Sequence, residues 1–246
     1  MYLYIINYAK SKPDLAIMAI ATFTKDAKDK RNPMMRALSV RTMSCIRVER
    51  IAEYLCESLK DCLSDEDPYV KKTAAISIAK LYMTSPRLVK DYNLVKMLQG
   101  MLGDGNAIVV ANVCASLLEI SKAANKNYIK LRSGGNLNKL LAALNDSNEW
   151  GQVYILEAVA TYDPETPEEA SSIIERILPR LQHSNASVVM AAVKAILKFI
   201  DFLESNDKEA LKEKEFLHKM AAPLTTLLAA EPEIQYVALR NIDFIL

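Results

Sequence analysis

Glycine is scarce in this sequence, and so are histidines and long apolar runs. Only 6 of the 246 residues are glycine, which argues against a turn-rich β-sandwich and against glycine-rich phosphate loops. The longest apolar run is the seven residues from Leu15 to Ala21, whereas about 20 are needed to span a bilayer. We therefore expect any contact with a membrane to be peripheral.

Neither the charge balance nor the cysteine spacing indicates a nucleic-acid partner or an oxidising compartment. The chain has 31 Lys plus Arg against 30 Asp plus Glu, a formal charge of +1, so no global field favours nucleic acid and we expect no nucleic-acid partner. The four cysteines are Cys45, Cys56, Cys62 and Cys114. Their spacing forms no disulfide framework, which favours a reduced, cytosolic setting.

The residue combinations that carry catalysis are missing. There are two histidines, His183 and His218, and no HExxH, CxxC, GxSxG or Walker-type motif, so surface or packing roles are favoured for both. Cys56 and Cys62 are six residues apart and do not share a helix face well enough for a metal site. We predict no enzyme, no catalytic residue, no cofactor and no metal.

Two further features have a structural and a functional interpretation. Gly134 and Gly135 precede a predicted helix, but they lack the lysine and the preceding strand of a phosphate loop, so a turn between repeats is favoured. Trp150 stands just after a predicted helix start. Packing in the core or between repeats is favoured for this lone tryptophan, with an interface anchor as the alternative.

A repeat of about 40 residues determines the fold class. Six segments contain a polar turn and then a helix with an apolar face, and they align on one anchor residue each: Pro33, Pro68, Ala107, Glu149, Ala186 and Pro232. The successive anchors are 35, 39, 42, 37 and 46 residues apart, which is typical of two-helix HEAT or armadillo repeats.

Each anchor is predicted to begin the first helix of a pair. The side chains two, seven and ten residues after it share one face, as with Val70, Ala75 and Ile78, and Leu239 takes the seventh position in the last repeat. The Asp or Asn before the anchor is expected to cap the helix, and proline at the start is tolerated there. Second helices are predicted over 14–27, 48–63, 92–102, 136–145, 167–182 and 211–229.

These elements predict an all-α chain, a right-handed α-solenoid of HEAT/armadillo-like helix pairs. We expect residues 1–246 to form a single domain of about six repeats, because one helix pair cannot bury its own apolar face. Solenoids normally carry polar capping repeats at their ends. Neither end of this sequence has one, so we expect a chain truncated at both ends.

Basic residues concentrate in the first fifth of the chain. Lys25, Lys28, Lys30, Arg31, Arg36, Arg41, Arg47 and Arg50 lie within it. Arginines on the inner helices of a solenoid can bind acidic loops or lipid headgroups. A solvated face with salt bridges between repeats is the favoured interpretation.

Several segments resemble a known family. NPMMRALSVRTMSCIRV, DEDPYVKKTAAISIAKL, LNKLLAALNDS followed by NEWGQ, and APLTTLL followed by EPEIQYVALRNI are similar to the β-adaptin large chain of clathrin adaptor complexes. The resemblance runs from Tyr2 to Leu246. The sequence departs from it by an extra residue around DKRNP and by the composition of the linkers at 84–93 and 122–136.

The resemblance implies a role as the trunk of a heterotetrameric adaptor. In the family this trunk holds the medium chain and pairs with a second large chain and a small chain. It acts in vesicle-mediated transport and endocytosis, on the cytoplasmic side of trans-Golgi, endosomal or plasma membranes. Clathrin binding belongs to regions absent here. In the trans-Golgi type, the helix matching KPDLAIMAIATF contacts an Arf-type GTPase through residues corresponding to Ile17 and Ile20. Packing against MYLYIINYA is the equally weighted alternative for both isoleucines.

Two other classes compete with the adaptor interpretation. One is another HEAT scaffold, such as a phosphatase scaffold, a nuclear transport receptor or a coatomer β-type chain, for which strictly regular repeats would be expected; the irregular spacing argues against this. The other is an enzyme, which would need a polar constellation that the sequence does not contain.

Overall fold

The computed structural model describes residues 2–9, 11–46, 48–204 and 210–245, and within these ranges the chain is helical with no β-strand. The helices are α1 (Tyr2–Tyr8), α2 (Pro13–Asp26), α3 (Pro33–Cys45), α4 (Glu49–Leu63), α5 (Pro68–Thr84), α6 (Pro86–Asp91), α7 (Leu94–Gly100), α8 (Ala107–Ala124), α9 (Asn136–Asp146), α10 (Glu149–Val159), α11 (Pro167–Ile177), α12 (Ala186–Glu204), α13 (Ala210–Leu228) and α14 (Pro232–Ile245). Short 3₁₀ turns follow α7 and α11 and precede α9. The predicted all-α class is confirmed.

The chain divides into two compact units, Met1–Asn136 and Leu137–Leu246. In the first unit, α3 packs on α5 and α5 on α8, while α2 and α4 contact the same stack from the second layer. In the second unit, α12 packs against α10, α11, α13 and α14. Each unit therefore buries its apolar faces between neighbouring helix pairs.

All six anchors coincide with observed helix starts, and polar side chains cap the helices as predicted. The Asn32 side chain accepts a hydrogen bond from the Met35 amide at 3.2 Å, and the Asp67 carboxylate accepts one from the Tyr69 amide at 2.7 Å. The Asn148 side chain likewise accepts from the Gly151 amide at 2.9 Å. These bonds satisfy amides that have no intrahelical acceptor, which fixes where each helix begins.

The predicted core face is buried in most repeats but shifts in the last one. Val70, Ala75 and Ile78 are fully buried. Among the described side chains of α14, Ala238 is buried and Leu239 is 56% exposed. Helix α14 contacts α12 and α13. Leu239 lies about 100° further round the helix than Ala238 and therefore falls outside that contact. The placement of Leu239 in the core was wrong.

Small hydroxyl residues recur where the first helices of the first unit meet. Thr42, Ser77 and Ser116 stand nine residues after their anchors and are buried. Each hydroxyl donates to the carbonyl four residues earlier in its own helix at 2.8 Å. Their small size allows α3, α5 and α8 to approach closely, and the internal hydrogen bond removes the cost of burying the hydroxyl.

The second helices lie where the sequence predicts them, but two of the predicted spans, 92–102 and 167–182, end as 3₁₀ turns. The span predicted as 167–182 ends as an α-helix at Ile177 and continues as a 3₁₀ turn, Leu178–Gln182, that contains Pro179. Proline lacks the amide that an α-helix needs at this point. The short helix α6 was not predicted; Pro86 at its first position is its one sequence signal.

Helix α8 is long and apolar enough to cross a membrane on length and composition alone. Half of it is buried in the first unit, where Val109, Val113, Leu117 and Ile120 are fully buried, whereas Ile108 is exposed. Such a helix is typical of the core of a soluble repeat stack.

Candidate interaction surfaces

The cysteines are not placed for catalysis or metal binding. Burial raises the pKa of Cys56 to about 11 and the pKa values of Cys62 and Cys114 to about 12, so these thiols stay protonated and poorly nucleophilic. Cys45 is half-buried, and all four cysteines are free. Within the described ranges, no group of three or more His, Cys, Asp or Glu could hold a metal ion.

The two isoleucines implied by the family resemblance lie on α2 but differ in exposure. Ile20 is 4% exposed and belongs to the core of the first unit, whereas Ile17 is half-buried. The large apolar side chains that α2 exposes are Leu15 and Met18, the latter 75% exposed. The structure thus places Ile20 in a packing position and leaves Ile17 within reach of a partner.

A second exposed apolar surface lies on the first helices of the first unit. Met34, Tyr69 and Ile108 each follow their anchor by one residue and are exposed, and Leu38 and Ile76 extend the surface. We call these five residues the inner-helix face. A shallow cavity of about 200 Å³ between α3 and α5 is lined by Met34, Leu38 and Tyr69. The buried positions of the repeat do not predict this face, although apolar residues recur one position after the anchor.

Two ion pairs join successive repeats at the N-terminal ends of the first helices. The Arg36 guanidinium donates to both oxygens of Asp65, at 2.7 and 2.8 Å. The Lys71 ammonium donates to Asp104 at 2.9 Å. Arg36 and Lys71 stand three residues after their anchors, and each aspartate stands three before the next anchor, so the pairing repeats with the period of the fold.

The pKa of Asp65 reflects competition between burial and these bonds. Burial by itself raises the pKa, but the hydrogen bonds from Arg36 and from the Asp67 amide outweigh it, so the pKa of Asp65 lies below its ordinary value. The pKa of Asp104 is lowered in the same way by Lys71 and the Asn106 amide. Both carboxylates are therefore ionised structural ligands at neutral pH.

Some of the basic residues in the first fifth of the chain form such ion pairs. Arg36 binds Asp65, and Lys28 lies 3.8 Å from Asp61 in an exposed pair. Arg41 borders the cavity between α3 and α5. Arg47 and the side chain of Arg50 lie outside the described residues. For Arg36 and Lys28, the prediction of salt bridges between repeats is confirmed.

Trp150 is the second residue of α10 in the second unit and is 74% exposed. The favoured prediction of packing for this side chain was wrong. It stands one residue after its anchor, the same offset as Met34, Tyr69 and Ile108 in the first unit. A large exposed aromatic at this offset fits the alternative interpretation, an interface anchor.

The glycine pair and His183 lie in turns between helices. Gly134 and Gly135 both have φ near 68°, a left-handed conformation that glycine adopts readily, so they form the predicted turn before α9. His183 accepts a hydrogen bond from the Asn185 amide at 3.0 Å through Nδ1, in the turn before α12. It also lines an open cavity of about 900 Å³ beside α13. His218 is exposed.

The comparisons with known proteins agree on family and fold. Residues 1–246 match the family model described as the adaptin N terminal region. The chain is 52% identical over 245 residues to the AP-1 complex subunit beta of Dictyostelium discoideum, covering 100% of this chain and 25% of that protein. It is 51% identical over 245 residues to the human AP-1 complex subunit beta-1, with the same two coverages.

Among solved structures, a computationally designed armadillo repeat protein for modular peptide recognition matches with a TM-score of 0.57 at 20% identity. The match covers 91% of this chain and 98% of the designed one, and it supports the helix-pair repeat fold alone. The chain spans about a quarter of the length of the curated relatives it matches. It belongs to the adaptin family, as a β-type large chain over the N-terminal region.

Proposed function

We propose that residues 1–246 act as one non-catalytic trunk in a heterotetrameric clathrin adaptor complex. The observation that carries this proposal is the inner-helix face, an exposed apolar surface on a chain half identical to AP-1 β subunits. Exposed apolar side chains that recur along successive repeats are costly in a free protein and are typical of a binding surface. We assign this face to the medium chain of the complex, with the second large chain and the small chain as further partners.

Tyr69 on α5 provides the test of this assignment. Tyr69→Glu should prevent co-purification of a co-expressed medium chain, because a carboxylate would be desolvated in the apolar contact. Tyr54→Glu is the matched control, since Tyr54 is an exposed tyrosine on the second helix α4. Both variants should give the wild-type circular dichroism spectrum. Normal recovery of the medium chain with Tyr69→Glu would place the contact elsewhere, and recovery of a phosphatase or transport cargo instead would favour another HEAT scaffold.

A contact with an Arf-type GTPase at Ile17 and Ile20 is the second part of the proposal, and it rests on the family resemblance. Because Ile20 is buried, a charge there would unfold the helix pair, so the test uses the half-buried Ile17. Ile17→Asp should abolish GTP-dependent binding of the GTPase, with Lys25→Asp at an exposed site further along α2 as the control. Unchanged binding by a folded Ile17→Asp variant would exclude this contact.

We further propose a location on the cytoplasmic face of coated membranes, at the trans-Golgi network and endosomes or at the plasma membrane. Association would be peripheral and would depend on the assembled complex, with clathrin bound by other regions of the complex. Fractionation with and without a co-expressed second large chain tests this. Membrane recovery that does not depend on the partner would contradict it.

A further inference from the structure

Two segments of the first unit carry positive charge without any acidic residue. No Asp or Glu occurs from Tyr92 to Gly103 or from Ile120 to Gly135. The same segments contain five basic residues: Lys96, Lys122, Lys126, Lys130 and Arg132. The whole chain has a formal charge of only +1, so this is a strong local departure from balance.

Hydrogen bonds bring these two segments together and fix the linker that follows α8. The Gln99 side-chain amide on α7 donates to the Tyr128 carbonyl at 2.6 Å. The Tyr128 amide donates to the Ser121 hydroxyl at 3.0 Å, and the Lys126 amide donates to the Ser121 carbonyl at 3.1 Å. Lys96 lies one helical turn before Gln99 and therefore on the same side of α7.

Buried apolar residues and exposed basic residues alternate along the linker. Ile129 and Leu131 are buried, whereas Lys130 and Arg132 between and after them are exposed. This alternation is typical of an extended chain, in which side chains two residues apart point the same way at a spacing of about 7 Å. Lys126 is exposed at the start of the linker and lies over the Tyr128 ring, with 5.7 Å from its ammonium to the ring centroid.

We propose that Lys96, Lys126 and Lys130 form a docking surface for an extended acidic segment of a partner protein. An extended peptide with a carboxylate at every second residue presents its negative charges on one side, about 7 Å apart, so several of them can face the three exposed ammonium groups at once. Lys122 and Arg132 already have partners within the structure, and the surface relies on the other three. A linker held by hydrogen bonds has less conformational entropy to lose on binding.

This inference is independent of the proposed trunk function. The basic linker lies in one of the two stretches where the sequence departs from the adaptin pattern, and it is separate from the inner-helix face. The surface would therefore recruit an acidic segment in addition to the subunits of the complex.

Fluorescence anisotropy with a labelled synthetic peptide in which glutamate alternates with serine tests the proposal. The wild-type protein should bind it, with an affinity that falls as salt is raised because the contacts are exposed. Lys126→Glu with Lys130→Glu should weaken binding by about tenfold or more, since two attractions become repulsions. Lys25→Glu with Lys30→Glu, which makes the same change in charge at two exposed sites on and after α2, should leave binding unchanged.

Three results would overturn the proposal. The first is no binding of the glutamate–serine peptide by the wild-type protein. The second is an equal loss of binding in both double variants, which would reduce the effect to net charge. The third is a stronger response to phosphatidylserine vesicles than to the peptide, with phosphatidylcholine vesicles as the blank, which would assign the surface to an anionic membrane. Thermal melts followed by circular dichroism establish that all variants are folded.

Discussion

Replacing Arg36 with alanine should destabilise the first unit by far more than replacing its neighbour Lys28. The side chains of Arg36 and Asp65 are 13% and 11% exposed, and the guanidinium makes the 2.7 Å bond to the carboxylate. Those of Lys28 and Asp61 are 57% and 60% exposed at 3.8 Å. The first pair joins α3 to the turn before α5 and the second joins the turn after α2 to α4, and the two differ most in burial and geometry.

The magnitudes follow from that difference. Arg36→Ala leaves the Asp65 carboxylate largely buried with one charged partner removed, which costs about 2–4 kcal/mol. Lys28→Ala breaks an exposed pair, which contributes about 0.5 kcal/mol or less because water and salt screen it. Asp65→Asn should fall between the two, since the amide oxygen still accepts the Asp67 amide that bonds to Asp65 at 2.9 Å.

Acid should diminish the effect of Arg36→Ala. The pKa of Asp65 is below its ordinary value in the folded protein, so its contribution to stability is present above the unfolded-state pKa of about 3.9. That contribution is lost as the pH falls through the lower folded-state pKa. The difference in free energy of unfolding between wild type and Arg36→Ala should therefore become smaller below about pH 4.

Urea unfolding followed by far-ultraviolet circular dichroism, at neutral pH and in steps toward acid, measures both effects. A difference between Arg36→Ala and Lys28→Ala smaller than about 1 kcal/mol would refute the argument from burial. If the difference in free energy of unfolding between wild type and Arg36→Ala stays constant down to the lowest pH, Arg36 acts through packing of its aliphatic stem rather than through the charge of Asp65.

Three further outcomes are expected. Ile20→Asp should unfold the helix pair at room temperature, because it places a charge in the core at a cost of about 4 kcal/mol or more; a melting temperature like that of wild type would contradict the burial of Ile20. The Asn106 side chain caps α8 by accepting a hydrogen bond from the Ile108 amide at 3.0 Å. Asn106→Ala should therefore lower the free energy of unfolding by about 1 kcal/mol, measured by urea titration against Asn112→Ala, and an equal cost for both variants would contradict the role of the cap. Cys114, whose pKa is raised by burial to about 12, should resist a thiol reagent at pH 8 until urea unfolds the chain, while Cys45 reacts first; mass spectrometry of labelled peptides checks the order.

The sequence predicts the helix starts well because each one is encoded locally. A capping side chain such as Asn32 or Asp67 and a proline at Pro33 or Pro68 act within one turn of the backbone, so no tertiary information is needed. The core face is also local in origin, since periodicity alone places Val70 and Ile78 on one side of α5.

What the sequence could not predict depends on which neighbours a helix has. Leu239 and Val40 occupy the same position of the repeat, yet Leu239 is 56% exposed and Val40 is fully buried, because α3 has packed helices on more sides than α14. Ile17 and Ile20 likewise lie on one helix, and only the packing of α2 against its neighbours makes Ile20 buried and Ile17 half-buried. The exposure of Trp150 was missed for the same reason.

The buried hydroxyls of Thr42, Ser77 and Ser116 have a mechanical consequence. Each hydrogen bond stays within its own helix, so these three hydroxyls form no directional bond between α3, α5 and α8. A small shear of one helix along the next breaks no hydrogen bond at these positions. The ion pairs of Arg36 and Lys71, by contrast, fasten the N-terminal ends of α3 and α5 to the loops that precede the next repeat. We therefore expect the first unit to bend more easily at the opposite ends of these helices than at their ion-paired ends.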